Sequence, residues 1–435
     1  MVSYSGFSKL NRAERISYLI EHSDFSKSEI ENLYAYDSPE KAQQKLFEEM
    51  IENYAGNFPI PMGLVPNMVI NSTSYVVPFA TEESSVIAAA AKAAKYWAEK
   101  GGFTATVQSV TKKGQIHFCW RGEPSKILTL FPDLKIKLLQ STERLTTRMR
   151  QRGGGITDIR LLDLSNKLPN YYQIDVSFET ADAMGANFIN SCLESMATCL
   201  KTTPELNTGG IQPEIIMSIL SNYTPDCLVC CHVEAPIELL SGWNRQMSPK
   251  TFAHKFKQAV DIAGVDISRA VTHNKGIFNG IDAVLLSTGN DWRATAAAGH
   301  AYASRNGSYQ GLTNLSLDNH IFKYSLELPL AVGTVGGITR MHPLVKDVSA
   351  MLNHPDAQTL MMIAAAAGLA NNFAAIASLI TSGIQEGHMK MHRSNMLSQL
   401  EASEEEKEII RTEFKSDPAD FGKLEALIMK IRSRK

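Results

Sequence analysis

Four segments of the sequence place an ionisable side chain in an apolar or glycine-rich setting, which suits chemistry. Glu83 stands just before a predicted helix, and Lys275 lies within the glycine-rich segment 273–280. Asp291 precedes a tryptophan, and His388 follows a glycine towards the C-terminus. A carboxyl and an imidazole can transfer protons, and an ammonium can stabilise an oxygen that becomes negatively charged. These residues are therefore candidates for acid–base and oxyanion chemistry.

Each candidate also has a structural interpretation when its segment is taken alone. Glu83 could cap the helix that follows it, and Lys275 could be an ordinary solvated lysine. Asp291 could be a turn residue, and His388 could have a structural role. The individual segments leave both interpretations open.

Composition narrows the class of protein. The chain has 435 residues, 44% hydrophobic and 20% charged, which suits two or three domains with full-sized cores. A formal net charge of -2 argues against a protein dominated by nucleic-acid or membrane-surface binding. The longest apolar runs, 86–94 and 363–370, are too short to span a bilayer, and residues 1–10 lack a signal-peptide core. We expect a cytoplasmic protein with no nucleic-acid or membrane partner.

Six cysteines are present, and three of them cluster in Cys227-Leu-Val-Cys230-Cys231-His232. A structural zinc site needs four ligands, and no second CxxC pair occurs. We favour a buried strand that uses cysteine as a small apolar residue, and we expect no metal. An acyl-transfer enzyme with Cys230 or Cys231 as its nucleophile is an alternative class.

Hydrophobic periodicity and breaker residues predict the elements that must position these side chains. Predicted helices cover 26–34, 38–54, 84–100, 125–150 with a break at Pro132, 180–201 and 359–381. Predicted strands cover 74–79, 103–110, 115–120, 156–164, 171–178 and 227–235. Lys113-Gly114 is interpreted as the turn between the second and third strands. This order favours an α+β fold with a mostly antiparallel sheet.

The region after 236 is predicted to be helical, with loops at 274–280, 289–293 and 333–337. Asp356 should cap the long apolar helix, and Ser403 with Glu406 forms a predicted capping box. The charged stretch from 396 onwards indicates a small helical appendage. No GxGxxG occurs, so a dinucleotide would bind without the Rossmann fingerprint.

Seven motifs occur in one order along almost the whole chain. They are Met50-Ile-Glu-Asn-Tyr-Ala-Gly-Asn57, Glu82-Glu83, Asp182-Ala-Met-Gly-Ala-Asn187, His273-Asn-Lys-Gly276, Gly289-Asn-Asp-Trp-Arg293, Val332-Gly-Thr-Val-Gly-Gly337 and Ile384-Gln-Glu-Gly-His-Met389. In this combination the sequence resembles the class II 3-hydroxy-3-methylglutaryl-CoA reductases.

The resemblance implies a multi-domain α+β fold. It has a helical large domain at 1–108 and 218–379, and an inserted ferredoxin-like small domain at 109–217 that binds the dinucleotide. A C-terminal helical flap follows at 380–435. The resemblance also implies a homodimer with each active site at the subunit interface, and a flap that closes over bound substrate.

The reaction implied is two successive hydride transfers that convert HMG-CoA to mevalonate and free CoA. Lys275 would stabilise the oxyanion, and Asp291 would lie against Lys275. Glu83 would supply a proton, and His388 would protonate the departing CoA thiolate. The substrate contacts implied are Ser85, Arg269 and Asn279, with Arg269 facing the carboxylate.

The cofactor contacts implied are Asp182, Met184, Gly185 and Asn187, at the start of a helix that would favour pyrophosphate. Thr146 stands where an NADH-dependent pattern has aspartate, and arginines surround it. The expected cofactor is NADPH, with NADH as the alternative. The same enzyme could work in the oxidative direction with NAD. A non-enzymatic helical interaction protein is a third class, which would need one of the four catalytic candidates to be missing.

Overall fold

Helices and antiparallel strands alternate along the chain in the computed structural model, which describes residues 6–207, 209–243, 247–381, 396–413 and 421–433. The helices are α1 (Arg12–His22), α2 (Lys27–Tyr34), α3 (Lys41–Met50), α4 (Ser84–Ala98), α5 (Pro124–Ser141), α6 (Glu143–Arg150), α7 (Ala186–Thr202), α8 (Pro249–Val265), α9 (Ile267–Ser287), α10 (Trp292–Ala303), α11 (Ile338–Met341), α12 (Pro343–Met351), α13 (Ala357–Leu379), α14 (Glu404–Glu413) and α15 (Phe421–Arg432). The strands are β1 (Met62–Ile70), β2 (Thr73–Ala80), β3 (Thr104–Val107), β4 (Lys112–Cys119), β5 (Gly155–Asp163), β6 (Tyr171–Glu179), β7 (Glu214–Ser221), β8 (Leu228–Pro236), β9 (Thr313–Ser316) and β10 (Ile321–Pro329). This mixture confirms the predicted α+β class.

The chain divides into two units, 1–61 and 62–435. The first contains α1 to α3. In this unit the guanidinium of Arg12 makes two hydrogen bonds to Asp37, at 2.7 and 2.9 Å. A third bond, from Arg12 Nε to the carbonyl of Ala55, is 2.8 Å long. A guanidinium held by a carboxylate fork in this way ties three separate segments together.

In the second unit, one antiparallel sheet has the strand order β3-β8-β10-β9. Its long central pair, β8 and β10, is in register with Cys231 opposite Leu326, and both residues are buried. Cys231 therefore packs as a core residue of a strand. Among the described residues, no group of three or more His, Cys, Asp or Glu is placed to hold a metal ion.

A separate antiparallel sheet has the order β5-β6-β4-β7, with α5 and α7 packed on it. The predicted turn at Lys113-Gly114 is wrong, because both residues lie inside β4 and β3 belongs to the other sheet. A Cβ on Gly114 would come within 2.6 Å of Leu193 Cδ1, so the glycine lets α7 approach the strand closely. The signal interpreted as a turn is a packing requirement.

The predicted helix break at Pro132 is also wrong. Helix α5 continues through Pro132 to Ser141, and the chain leaves helical geometry at Thr142, with φ -103° and ψ 2°. Proline removes one backbone donor from the helix. Buried Ile127 and Leu134, on either side of the proline, hold both halves of α5 against the same core, which offsets that loss.

Helix α13 is the centre of the larger hydrophobic core and packs against α9 and α4. Asp356 caps it by accepting a 2.7 Å hydrogen bond from Thr359 N, as predicted. By length and composition α13 is the one described helix that could cross a membrane, but 89% of its apolar window is buried inside the protein. A buried apolar helix of this kind is a core helix.

The C-terminal helices α14 and α15 and the segment just before α14 form a small hydrophobic cluster, which includes Leu397, Ile410 and Leu424. The predicted capping box is confirmed. Glu406 N donates to Ser403 Oγ at 3.2 Å, and Ser403 N donates to Glu406 Oε2 at 2.8 Å.

Candidate active site

Glu83 and Lys275, two of the four catalytic candidates, are in direct contact. Lys275 Nζ donates to Glu83 Oε2 at 3.0 Å. The other carboxylate oxygen, Glu83 Oε1, accepts a 2.6 Å hydrogen bond from Ser85 Oγ. The side chains of Lys275 and Glu83 remain 61% and 35% exposed, so a ligand can reach both. An ammonium, a carboxyl and a hydroxyl thus share one accessible position.

The turn from β2 into α4 places Glu83. It is the residue immediately before the first turn of α4, with an extended backbone, and its own N–H donates to Thr81 Oγ1 at 3.2 Å. The carboxylate is not used to cap α4, since no side-chain capping bond forms there. Glu83 therefore occupies the N-cap position of α4, but its side chain bonds to Lys275 and Ser85 and does not cap the helix.

Lys275 lies in the middle of α9, and the predicted loop at 274–280 is wrong. Gly280 explains the misleading signal, because a Cβ there would lie 2.4 Å from the Ala367 carbonyl oxygen of α13. A Cβ on Gly368 would likewise lie 2.8 Å from Ile281 Cγ1. These glycines allow α9 and α13 to cross closely, and the rigid crossing fixes where Lys275 emerges.

Asp291 lies at the start of α10, where its Oδ1 accepts from Ala294 N at 3.0 Å and pairs with Arg293 at 3.3 Å. The expected contact between Asp291 and Lys275 is not formed: Lys275 pairs with Glu83, and Asp291 pairs with Arg293. The neighbouring Asn290 accepts a 2.8 Å hydrogen bond from Gly333 N. This bond joins the 289–293 motif to the 332–337 motif, as a shared site requires.

The three expected substrate residues are placed by the same two helices. Ser85 is in the first turn of α4, and Asn279 follows Lys275 by one helical turn on α9. Arg269 lies near the start of α9 and is partly buried. Burial lowers the pKa of Arg269, while nearby Tyr324 acts in the opposite direction.

A buried polar network behind Lys275 was not predicted from the sequence. His273 Nε2 lies 2.6 Å from Thr313 Oγ1, and Asn372 Nδ2 donates to the His273 carbonyl at 2.6 Å. The hydroxyl of Tyr324 contacts both Thr313 and Asn372. Burial, with a smaller effect of Arg269, lowers the pKa of His273 to about 3, so its imidazole is neutral. At His273, two residues before Lys275, the network ties α9 to β9, β10 and α13.

Asp282, two turns after Lys275 on α9, was also missed. Its Oδ1 is buried and has no hydrogen-bond partner among the described residues. Burial raises the pKa of this carboxyl to about 7. The sequence does not predict this raised pKa, because it arises from the residues that pack around Asp282 and not from its position in a helical pattern.

The expected cofactor residues Asp182, Met184, Gly185 and Asn187 lie in the loop and first turn between β6 and α7. Gly185 precedes α7 with φ 91°, a left-handed conformation that suits glycine. The predicted start of this helix at 180 is therefore wrong by about one and a half turns, because 180–185 form the loop. The backbone N–H groups at the start of α7 can donate hydrogen bonds to an anion.

Thr146 does not present its hydroxyl to a ligand in this conformation. The residue is fully buried, and its Oγ1 bonds to the carbonyls of Thr142 and Glu143 in its own helix, at 3.1 and 3.2 Å. The arginines around it are exposed, at 144, 148, 150 and 152. His388, the fourth catalytic candidate, lies outside the described residues.

Comparison with known proteins gives one consistent result. The family model for hydroxymethylglutaryl-coenzyme A reductase matches residues 11–393. A 3-hydroxy-3-methylglutaryl-coenzyme A reductase from Archaeoglobus fulgidus is 33% identical over 90% of this chain and 86% of its own length. A probable enzyme of the same name from Borreliella burgdorferi is 34% identical over 92% of this chain and 89% of its own length.

Solved structures are similar too. The class II enzyme from Streptococcus pneumoniae bound to NADPH in open conformations is 36% identical, with a TM-score of 0.72, and covers 87% of this chain and 100% of its own. A second structure from the same organism is 33% identical, with a TM-score of 0.73, and covers all of both chains.

Proposed function

The chain belongs to the hydroxymethylglutaryl-coenzyme A reductase family, and we propose that the site around Lys275 performs the chemistry of this family. The reaction reduces HMG-CoA to mevalonate and releases CoA, with two hydride transfers from a nicotinamide cofactor. The observation that carries the proposal is the 3.0 Å contact between Lys275 and Glu83, with Ser85 on the same carboxylate.

Lys275 would stabilise the substrate oxygen as it gains negative charge. Glu83 holds its ammonium, and the crossing of α9 with α13 fixes the backbone that carries it. Most of the Lys275 side chain is nevertheless exposed. A cation held in place before the reaction needs no reorganisation when charge develops. Glu83, in contact with the same ammonium, would deliver a proton to the reduced oxygen from its protonated carboxyl form, which it would have to adopt before that step.

Asp291 and His388 complete the proposed set. Asp291 would act from the start of α10. It follows Asn290, whose hydrogen bond to Gly333 joins the 289–293 motif to the 332–337 motif. When substrate binds, Asp291 would have to leave Arg293, its present partner at the surface, and pair with Lys275. His388 would protonate the CoA thiolate, which otherwise adds back to the aldehyde.

The residues of the β6–α7 loop fit a dinucleotide. A Cβ on Gly333 would lie 2.3 Å from Met184 N, so the 332–337 loop and the 182–187 loop meet backbone to backbone. Asp182, Met184, Gly185 and Asn187 would hold the pyrophosphate and its neighbours at the start of α7. When bound, the nicotinamide cofactor supplies hydride.

We propose NADPH as the preferred cofactor. The exposed arginines of α6 and the turn after it offer cations to a 2′-phosphate, whereas Thr146 is buried and leaves no anionic side chain at its position. A preference for NADPH fits the reductive direction. Steady-state rates with NADPH and with NADH would decide, and a strong preference for NADH would contradict this proposal.

The proposed domains are a large one at 1–108 and 218–379, a small one at 109–217 and a flap at 380–435. The sheet β5-β6-β4-β7 lies almost entirely within the proposed small domain, and α14 with α15 has its own hydrophobic cluster. We propose a cytoplasmic homodimer. In support, the surface of α8 and α9 near Lys275 exposes Val265, Ile267 and Val271, which a second copy could cover.

One assay tests the function. The purified full chain is mixed with HMG-CoA and NADPH, and the near-ultraviolet absorbance of the reduced nicotinamide is followed. We expect two equivalents of NADPH to be consumed for each CoA released. No consumption with either NADPH or NADH would contradict the proposal, and light scattering on the same sample tests the dimer.

A further inference from the structure

Lys112 is a buried lysine to which the sequence motifs assign no role. It is 4% exposed and lies at the start of β4, in the centre of the sheet β5-β6-β4-β7. Lysine is seldom buried to this extent, because removing an ammonium from water is costly unless its N–H groups are bonded. Lys112 therefore needs an explanation.

The ammonium of Lys112 bonds to the proposed dinucleotide loop. Its Nζ donates to Thr180 Oγ1 at 2.5 Å and to the carbonyl of Ala183 at 2.9 Å. Thr180 Oγ1 in turn donates to the same carbonyl at 2.6 Å. One ammonium thus fixes both ends of the turn 180–183 from inside the protein.

This turn needs to be held. Ala181 has φ 46°, a left-handed conformation that is strained for a residue with a Cβ. Gly185 is left-handed as well, and a Cβ there would lie 2.5 Å from Thr180 Cγ2. A strained loop persists only where its surroundings fix it, and Lys112 with Thr180 provides two of the fixing contacts.

The opposite side of the loop is held by the 332–337 motif and α13. Asp182 O accepts a 2.8 Å hydrogen bond from Thr334 N, and Asp182 Oδ1 accepts a 3.0 Å bond from Ala357 N. The loop is therefore clamped between β4 and the helical part of the same unit, and Lys112 is the contact on the β4 side.

We propose that Lys112 is a positioning residue for the dinucleotide: it holds the 180–185 loop in its binding conformation and places a positive charge beneath the start of α7. This inference rests on the proposed cofactor site. Burial lowers the pKa of Lys112, and the fields of Cys227 and Asp182 oppose that shift. An arriving pyrophosphate acts in the same direction as Asp182 and favours the charged ammonium.

The test compares Lys112→Met with Lys113→Met. The side chain of Lys113 points to the other face of β4, where it bonds to Ser177 at 3.0 Å and Asp226 at 3.2 Å, away from the loop. The two variants therefore remove neighbouring ammonium groups from one strand. Thr180→Val, which removes only the bridging hydroxyl, is a milder third variant in case Lys112→Met does not fold.

We expect Lys112→Met to raise the dissociation constant for NADPH about tenfold, the loss of about 1.4 kcal/mol. Amide exchange in 181–186 of the free protein should speed up, while KM for HMG-CoA stays within about twofold. Thr180→Val should shift the same quantities less, and Lys113→Met should leave them unchanged.

Wild-type NADPH affinity and amide exchange in both Lys112→Met and Thr180→Val would overturn the inference, as would an equal loss of affinity in Lys113→Met. Failure of the unaltered protein to bind NADPH would instead count against the proposed function. In that case the exchange rates of the 181–186 amides still decide whether Lys112 holds the loop.

Discussion

The ammonium of Lys275 lies 3.0 Å from the carboxylate of Glu83, although 192 residues separate them in the chain. This contact brings a potential oxyanion stabiliser and a potential proton donor to one position. It depends on the packing of α4 and α9 around α13, in which glycines at 280 and 368 permit close approach.

Replacement of Lys275 by Met should abolish most reductase activity without unfolding the protein. We expect kcat/KM for HMG-CoA to fall by about 10²- to 10³-fold, the usual effect of removing one preorganised oxyanion stabiliser. The side chain is 61% exposed, so the melting temperature should hardly change. Lys323→Met, which removes another partly exposed lysine that pairs with Glu234 at 3.2 Å, is the matched control. Retained activity in Lys275→Met would refute its assigned role.

Replacement of His388 by Gln should separate the two hydride transfers. Only the first produces a CoA thiolate that needs a proton, so reduction of HMG-CoA should slow severely while reduction of added mevaldehyde is spared. The two rates are measured with the same nicotinamide assay. His392→Gln, four residues further along, is the control, and equal loss of both rates in His388→Gln would mean that the residue has another role.

Replacement of Tyr324 by Phe should weaken the network behind Lys275. The loss leaves Asn372 Oδ1 without its buried donor, which should cost about 1–3 kcal/mol in the free energy of unfolding, while Thr313 Oγ1 keeps its contact with His273. Because α9 then has fewer fixed contacts near Lys275, kcat should fall more than KM rises. Tyr171→Phe, which removes a 2.7 Å contact with His117 on the other sheet, is the comparison. An unchanged kcat in a destabilised Tyr324→Phe would show the network to be structural only.

Replacement of Asp282 by Asn should change how stability depends on pH. Burial raises the pKa of this carboxyl to about 7, above the value of about 3.9 for an unfolded chain. Between these values the folded state binds more protons, so the free energy of unfolding of the unaltered protein falls as pH rises from about 4 to about 7.

Asparagine does not ionise, so Asp282→Asn should gain about 1–3 kcal/mol relative to the unaltered protein over that range. Urea unfolding at several pH values measures the difference. Asp261→Asn, on the surface of α8 where it pairs with Lys257, should show a much smaller trend. A difference for Asp282→Asn that is constant between pH 4 and 8 would contradict the raised pKa.

Several elements could be read from local patterns. Asp356 and the pair Ser403 and Glu406 are capping residues at the predicted positions, because capping depends only on residues a few positions apart. Strand β10, in contrast, has a local pattern that the sequence-based prediction did not use. Its buried residues Phe322, Tyr324, Leu326 and Leu328 alternate as in a strand, so the prediction of a helical region after 236 is wrong here.

The sequence by itself determined which residue types are available for the chemistry, and the order of the motifs that carry them. Only the tertiary structure decided that Lys275 emerges from a helix and not from a glycine loop, that Gly114 lies within a strand, and that Thr146 is buried. The physical reason is that a glycine or a threonine has the same local preferences wherever it stands. Its role depends on the atoms that pack against it, and those atoms come from segments distant in the chain.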